Sequence, residues 1–253
     1  MKLAVPLLAL SIVISSGEEV EVRPRIAGGH RAKIFTVIYL VGIIYARSLR
    51  SSIKYGAGTL ISTQWILTVR EVLVYQYIEL HLASRRSYRG FDMKRVYRQN
   101  FYFHPDKKRP IALVKCPFQK FDRRINKIRM PGFSQALNRF TGNMTLVCGY
   151  GFLKPGGRVP EWMQCIQAPI MSNEECKKIY RKLETYHMCT SGEGGVGACE
   201  GDIGGSVVTM DKQPIFVGII YIKTDTCRDL PSIHIRVSDH LEWIRKVTGV
   251  KYL

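Results

Sequence analysis

The chain has 253 residues, enough to bury a sizeable core in one large or two small domains, and its 46% hydrophobic content excludes wholesale disorder. Its formal net charge of +18 makes the folded product strongly basic and attractive to acidic partners. Charge alone does not say how the basic residues are arranged, so a solvated, charged surface without a specific partner is the alternative.

The first residues have the features of a secretory signal peptide. Lys2 supplies a positive charge, residues 3–14 form an apolar stretch, and residues 15–17 are small and suited to cleavage. We therefore expect a signal peptide over residues 1–17 and a secreted, extracellular protein. Neither this stretch nor the next apolar run, 35–46, is long enough for a membrane span, so no transmembrane segment is predicted. Export also argues against a nucleic-acid partner.

Short apolar, β-branched and aromatic runs recur along the chain, separated by Gly, Pro, Asn and Asp turns. Many short strands of this kind favour an antiparallel barrel or sandwich over a parallel α/β sheet. The runs are 35–45, 58–69, 74–82, 110–115, 144–150, 161–170, 215–222 and 232–237. The sequence therefore predicts an all-β fold.

Two segments break the strand pattern. The run 172–183 begins with a capping box, because Glu175 follows Ser172 by three residues, and it predicts a short surface helix. The run 238–248 places apolar residues at near-helical spacing and ends at a glycine, which predicts a C-terminal helix. Strand signals lapse over 123–131, where we place the boundary between two halves of similar size.

Six segments indicate a particular protein family more specifically than the strand pattern does, through their sequences and through their order along the chain. They are Arg25-Ile26-Ala27-Gly28-Gly29, residues 58–68 (GTLISTQWILT), Ile111-Ala112-Leu113, Cys148-Gly149-Tyr150-Gly151, residues 199–205 (CEGDIGG), and Val237-Ser238 with Trp243-Ile244. Together they resemble the motifs of the chymotrypsin-fold, trypsin-like serine proteases. The resemblance covers the chain from Ile26 to the C-terminus.

This resemblance supplies the architecture that the strand pattern leaves open. It implies a chymotrypsin-like double six-stranded antiparallel β-barrel with a C-terminal helix at about 238–248. The first barrel then covers about 26–130 and the second about 131–237 of a single domain, 26–253. A short propeptide at 18–25 would precede it, with zymogen-like cleavage between Arg25 and Ile26.

The three positions that match the family's catalytic triad carry other residues. In active relatives a serine attacks the carbonyl, a histidine takes its proton, and a buried aspartate fixes the imidazole. Here Glu71 occupies the histidine position, Pro110 the aspartate position and Ile203 the nucleophile position. A carboxylate does not shuttle protons at neutral pH as imidazole does, and the other two side chains have no group for the reaction. The sequence resembles a non-catalytic serine protease homologue of the insect type.

An active serine endopeptidase with a rebuilt triad is the alternative. The neighbouring residues that could substitute are Ser206, Asp106, His81, His104 and His234, all of which lie off the family's positions. Triads tolerate different chain orders but require hydrogen-bond contact. We expect these residues to be structural unless the fold brings them together.

The resemblance also assigns a degenerate specificity pocket and a remnant of the oxyanion hole. The pocket would have Gly197 at its base and Ser232 and Lys223 in its wall, beside residues 221–222, so that Lys223 obstructs or recharges the substrate channel. Gly201 keeps the small residue whose backbone N–H forms half of the oxyanion hole, together with the residue at 203.

Asp202 keeps the carboxylate that pairs with a freed N-terminal amine in active relatives. We expect cleavage after Arg25 to move Ile26 inward to pair with Asp202, because burying this carboxylate without a partner is costly. The pairing would order the surrounding loops and switch a binding surface. The alternative is that Asp202 hydrogen-bonds its own loop.

An exported chain with seven cysteines predicts a disulfide framework with at least one cysteine left over. The resemblance pairs Cys176 with Cys189, and Cys199 with Cys227. The cysteines that normally flank the catalytic histidine are both absent, since Gly56 and Val72 stand at their places. The partners expected for Cys148 and Cys165 are replaced by Thr209 and Ala32.

The sequence itself offers a third bridge. A hairpin centred on residues 156–157 places Cys148 opposite Cys165, and facing residues of antiparallel strands lie within disulfide reach. Cys116 is then left over, either buried as a small apolar side chain or available for an intermolecular bridge. Burial is the expectation.

The remaining predictions concern partners and modification. Inactive relatives, numerous in insects, act as cofactors or decoys in immune proteolytic cascades and as seminal-fluid proteins in reproduction. The resemblance therefore implies a protein partner, either an active serine protease or a cell-surface or sperm-associated protein. The sequon at Asn143-Met144-Thr145 predicts a glycoprotein, and no cofactor or metal is predicted.

Basic residues cluster at three places along the chain. The clusters lie within 85–98, at 107–109 and within 177–182. They predict an interaction with an anionic glycan, and a basic polyanion-binding or antimicrobial protein is a further alternative.

Overall fold

The computed structural model of the protein describes residues 28–33, 36–45, 53–84, 86, 89–152, 154–221 and 226–251. The predicted signal peptide (1–17), the propeptide (18–25), the Arg25-Ile26 cleavage site and Lys223 lie outside the described residues.

The described part of the chain consists mainly of short strands. They are β1 (His30–Arg31), β2 (Leu40–Tyr45), β3 (Lys54–Leu60), β4 (Trp65–Val69), β5 (Tyr77–Leu82), β6 (Asp92–Tyr97), β7 (Phe101–Phe103), β8 (Ile111–Lys115), β9 (Met144–Gly149), β10 (Gln164–Met171), β11 (His187–Thr190), β12 (Ser206–Thr209), β13 (Phe216–Ile220) and β14 (Ser232–Arg236). The helices are α1 (Asn173–Ile179) and α2 (Leu241–Thr248), with 3-10 turns at Arg70–Leu73, Arg98–Asn100, Phe133–Gln135 and Ser238–His240.

The strands form two seven-stranded sheets whose strand pairings are antiparallel. The first sheet has the order β6-β5-β2-β3-β4-β8-β7, and the second has the order β1-β10-β11-β14-β13-β12-β9. A further pairing of β9 with β10 closes six strands of the second sheet into a barrel. The predicted all-β, chymotrypsin-like double barrel is confirmed.

The two barrels share one continuous hydrophobic core. Ile43 and Leu67 of the first sheet and Ile219 of the second belong to the same buried cluster. The C-terminal helix contributes Leu241 and Ile244 to this cluster as well. Because removing apolar surface from water is the main favourable term in folding, this shared core fixes the barrels against each other.

The short strand β1 belongs to the second sheet. His30–Arg31 pairs with Gln164 and Cys165 of β10, while the extent of the first barrel, placed at about 26–130, stays a prediction. β11 reaches β10 only at Ile170 and Met171, so the other end of β10 would be an open edge. Covering that edge with β1 satisfies backbone groups that would otherwise stay unpaired.

Both predicted helices are present. α1 begins after Ser172, whose hydroxyl accepts the Glu175 N–H while the Glu175 carboxylate accepts the Ser172 N–H, as the capping box predicted. It ends at Ile179, earlier than predicted, because Tyr180 has an extended backbone and its hydroxyl donates to the Pro231 carbonyl at 2.8 Å. No helix of the described residues is long and apolar enough to span a bilayer.

All three predicted disulfides form. They are Cys148–Cys165, Cys176–Cys189 and Cys199–Cys227. The first joins directly paired residues of β9 and β10, with Cα atoms 4.2 Å apart, as the hairpin symmetry predicted. Cys116 is free and 3% exposed, so it is buried as expected.

Cys116 gives the first testable prediction. Burial raises the pKa of its thiol to about 12, so both access and thiolate formation are suppressed at pH 8. We expect the native protein to show no reaction with a disulfide exchange reagent such as DTNB, and the guanidinium-unfolded protein to release one equivalent. Rapid reaction of the native protein, absent from a Cys116→Ala variant, would contradict the buried position.

Candidate functional site

The loop 201–205 packs closely against strand β3 of the first barrel. The Ala57 N–H donates to the Ile203 carbonyl at 2.8 Å, which fixes the residue at the nucleophile position. Gly204 has a φ of 85°, and a Cβ there would clash with the Ala57 carbonyl and with Thr68 Oγ1. Glycine is therefore required at 204 for the loop to approach β3 this closely.

Pro110 and Glu71 lie side by side in the first barrel. The Arg70 N–H donates to the Pro110 carbonyl at 2.7 Å, just before Ile111 pairs with Val69 in the sheet. Glu71 follows in the 3-10 turn Arg70–Leu73. The residues predicted at the histidine and aspartate positions are thus close together in the fold.

Ile203 lies against the same 3-10 turn. A Cβ added at Gly56 would lie 2.6 Å from Val72 Cγ1 and 3.1 Å from the Ile203 carbonyl oxygen. Val72 directly follows Glu71 in the chain, so the nucleophile position lies beside the histidine position. The fold therefore brings Glu71, Pro110 and Ile203 together.

The Glu71 carboxylate accepts a hydrogen bond from the hydroxyl of Tyr221. Tyr221 follows β13, and its ring stacks on His187 with centroids 5.8 Å apart. Burial and the adjacent Glu71 charge raise the pKa of Tyr221, so the phenol stays protonated at neutral pH.

The residues named for a rebuilt triad lie in separate places. Ser206 is in β12, His81 in β5, His234 in β14, and His104 and Asp106 in the turn after β7. Ser206 is 1% exposed, and within the described residues no hydrogen bond joins it to a histidine. His104 Nδ1 accepts the Asp106 N–H at 3.1 Å, and the Asp106 carboxylate accepts the Lys108 N–H at 2.9 Å. These two residues stabilise their own turn.

The described part of the predicted specificity pocket has the expected neighbours. A Cβ at Gly197 would lie 3.4 Å from Ser232 Oγ and 2.7 Å from the Cys227 carbonyl. Ser232 Oγ accepts the Ala198 N–H at 3.0 Å. Gly197 and Ser232 therefore lie together, whereas the obstruction by Lys223 stays a prediction.

Asp202 is completely buried behind the loop 201–205. Its carboxylate accepts the Gly151 N–H at 2.6 Å and the Cys199 N–H at 2.9 Å. Burial raises its pKa to about 7, although these two hydrogen bonds favour the ionised form. Asp202 thus bonds to neighbouring backbone. Its pairing with Ile26 and the oxyanion-hole role of Gly201 stay predictions.

The basic clusters differ in how far their charge is compensated. In the first cluster Lys94 pairs with Asp92 and Arg95 pairs with Glu79, each at 2.7 Å. The third cluster, on and after α1, consists of exposed cations, namely Lys177, Lys178, Arg181 and Lys182. Asn143 lies half-buried in the turn before β9, and its glycosylation stays a prediction.

The two antiparallel sheets, one of them closed into a six-stranded barrel, define a class, a two-barrel protein with the chymotrypsin-like fold. The Trypsin family profile matches residues 26–244, and the chain belongs to this family.

Named relatives support this assignment. Serine protease 1 of Drosophila melanogaster is 23% identical over 92% of this chain and 89% of its own. Trypsin V-B of Rattus norvegicus is 27% identical over 89% of this chain and 90% of its own. Serine protease filzig of Drosophila melanogaster is 32% identical over 67% of this chain, a match that spans 10% of filzig.

A solved structure supports the fold. HL collagenase aligns with a TM-score of 0.79 and 23% identity, covering 88% of this chain and 99% of that chain. At this identity the likeness concerns the two-barrel architecture.

The contact between Gly56 and Val72 predicts that a disulfide can be introduced beside Glu71. Since Cγ1 is one bond from Cβ, the two Cβ atoms lie within about 4 Å, which suits a disulfide. We expect the double variant Gly56→Cys/Val72→Cys to form the bridge and to gain about 3 kcal/mol of unfolding free energy. Mass spectrometry would detect the bridge, and urea unfolding would measure the gain. Two free thiols in the folded double variant would contradict this placement.

The buried Asp202 predicts a specific pH dependence. Between its ordinary pKa of 3.8 and the raised value of about 7, the folded state keeps a proton that the unfolded state has lost. The unfolding free energy therefore falls as pH rises through this window and levels off above it. Relative to Asp202→Asn, we expect the uncleaved wild type to lose up to about 4 kcal/mol between pH 4 and pH 8 in urea unfolding.

Asp211→Asn, at an exposed position, is the control and should leave this decline in place. If the unfolding free energy of the wild type changed with pH in parallel with that of Asp202→Asn, the raised pKa of Asp202 would be ruled out. After cleavage behind Arg25, pairing with Ile26 would lower the pKa of Asp202 and remove the decline. The same measurement thus separates the two interpretations of Asp202.

Proposed function

We propose that this protein is a secreted, non-catalytic member of the trypsin family that acts by binding a protein partner. The observation that carries the proposal is the Tyr221 hydroxyl bonded to the Glu71 carboxylate, at the position where a proton-accepting imidazole would be needed. Ile203 lies beside this pair with no heteroatom in its side chain. In this proposal the backbone around the site, loop 201–205 against β3, is kept, while the side chains that perform hydrolysis are replaced.

The ordered backbone of loop 201–205 supports a binding role. A site that had lost its function altogether would not need to keep this conformation. Loop 201–205 keeps its tight approach to β3, and Asp202 remains buried and hydrogen-bonded behind it. A loop held in one conformation presents a defined surface, and rigid surfaces bind with a smaller loss of conformational entropy.

An extracellular setting is supported by the three disulfides, which persist under oxidising conditions. The partner we propose is an active serine protease or a cell-surface or sperm-associated protein. The process would be an immune proteolytic cascade, where the protein serves as cofactor or decoy, or reproduction, where it serves as a seminal-fluid ligand.

A polyanion-binding role is the second candidate, and the third basic cluster favours it. Lys177, Lys178, Arg181 and Lys182 are all exposed on or next to α1, so their charges face solvent together. Retention on heparin beyond that of a protein of equal net charge, lost on replacing Lys177 and Lys178 by Gln, would support this role.

The non-catalytic assignment predicts an absence of peptidase chemistry. We expect the pure protein, before and after cleavage behind Arg25, to show no labelling by a fluorophosphonate probe. Peptide hydrolysis should be at least about 10⁴-fold below that of trypsin, since loss of triad members has an effect of this size. Active trypsin serves as the positive control. Labelling of any serine, or hydrolysis abolished by a serine-directed inhibitor, would establish the rebuilt-triad enzyme instead.

A partner can be sought by capturing the secreted, cleaved protein from its native fluid and identifying the proteins that accompany it. An active protease in the complex would indicate a cascade cofactor. Its absence, with a receptor present, would indicate a free-standing ligand.

A further inference from the structure

A cleft of about 470 Å³ lies between the two barrels, and its lining residue Tyr55 directly precedes Gly56, which lies beside Val72 and Ile203. Ile44 and Tyr55, which are paired residues of β2 and β3, line it from the first barrel. Val159 and Pro160, which precede β10, line it from the second. The volume falls within the range of specific ligand sites, and these four residues give the cleft an apolar floor.

Two arginines stand at this cleft, and hydrogen bonds hold the backbone of Arg86 in place. Arg86 and Arg89 both line it, and the Arg89 N–H donates to the Arg86 carbonyl at 3.2 Å. The Ser84 hydroxyl donates to the same carbonyl, while the Tyr150 hydroxyl donates to the Ser84 carbonyl at 2.8 Å. Because Tyr150 belongs to the second barrel, these bonds anchor Ser84 and Arg86 across the interface.

The cationic groups at the cleft exceed the acidic ones. Arg86 contacts Glu161 at 3.6 Å, but the side chains are 52% and 61% exposed, so this pair contributes little and exchanges easily. Arg89 has no ion-pair partner among the residues that the structure describes. The guanidinium groups of Arg31 and Arg86 lie 3.4 and 4.8 Å from the ring centroid of Trp162, the residue after Glu161. Two guanidinium groups therefore line the cleft beside one carboxylate, and a third, that of Arg31, lies over the adjacent Trp162.

The apolar floor and the Glu161 carboxylate favour an acidic peptide over a sulfated glycan as the anionic ligand of this cleft. A uniformly sulfated glycan would meet the Glu161 carboxylate and would leave the surfaces of Tyr55 and Pro160 without an apolar partner. An acidic peptide can place an apolar side chain on this floor and its carboxylates on the two arginines, where the planar guanidinium binds a carboxylate through two hydrogen bonds.

We propose that this cleft binds an acidic peptide segment of the protein partner, with an apolar side chain between Tyr55 and Pro160 and flanking carboxylates on Arg86 and Arg89. The proposal rests on the non-catalytic binding role and names the chemistry of the partner. The overall charge of +18 favours the approach of such a segment.

The test uses fluorescein-labelled seven-residue peptides in which a central Tyr, Leu or Ser is flanked by two Asp on each side. Binding to the folded wild type is measured by fluorescence anisotropy at physiological salt. We expect the Tyr and Leu peptides to bind at least about threefold more tightly than the Ser peptide, since the side chain fills the apolar floor. Matched peptides with Asn in place of Asp should lose binding.

Variants locate the binding. Arg86→Gln/Arg89→Gln should weaken the Tyr peptide at least about tenfold, because two charge-assisted contacts are lost. Lys177→Gln/Lys178→Gln removes equal charge from α1 and should change affinity by less than about twofold. Thermal unfolding checks that each variant folds, and the single variant Arg89→Gln replaces the double variant if the latter does not.

Three results would overturn the proposal. They are no binding of any acidic peptide up to millimolar concentration, equal loss in the two double variants, and preferential binding of a heparin hexasaccharide that depends on Arg86 and Arg89. The last would reassign the cleft to a glycan. Fluorophosphonate labelling addresses catalysis separately, so an unlabelled protein that binds no acidic peptide would keep the non-catalytic role and remove only the cleft proposal.

Discussion

The close approach of loop 201–205 to strand β3 is the constraint on which the site depends. The Ala57 N–H bonded to the Ile203 carbonyl, with glycine at 204 to permit the contact, joins the two barrels at the triad positions. This backbone contact does not depend on which side chain stands at 203. The architecture therefore does not depend on the identity of this side chain, and the family's fold persists here with isoleucine at 203.

The strand pattern and the family motifs predicted the all-β double barrel, the C-terminal helix and the disulfides, but five of the described strands were not predicted. β6 is polar and alternately exposed, and its Arg95 is paired with Glu79 across the sheet, so it lacks an apolar run. β1, β7, β11 and β12 have two to four residues, too few for a periodicity. These strands are defined by their neighbours in the sheet, and a single sequence does not contain that information.

The positions of the candidate site were predictable because each triad position lies next to a recognisable motif. The Tyr221–Glu71 hydrogen bond was not predictable. The two residues are far apart in sequence, and neither belongs to the family motifs that the sequence matches. The cleft at Arg86 was missed for a similar reason. The basic cluster was visible in the sequence, but the cleft is lined by residues of both barrels, and Tyr150 donates to the Ser84 carbonyl near Arg86. Only the folded chain brings these residues together.

All three disulfides are local, with sequence separations of 17, 13 and 28 residues, and all lie in the second half of the chain. Closing a short loop requires little chain search, so each bridge can form soon after its second cysteine is synthesised. Cys148–Cys165 can therefore oxidise before the remaining four cysteines leave the ribosome, which leaves few opportunities for scrambled pairings. The cross-links also leave the first barrel without covalent reinforcement, so a reducing agent would act directly on the second barrel alone.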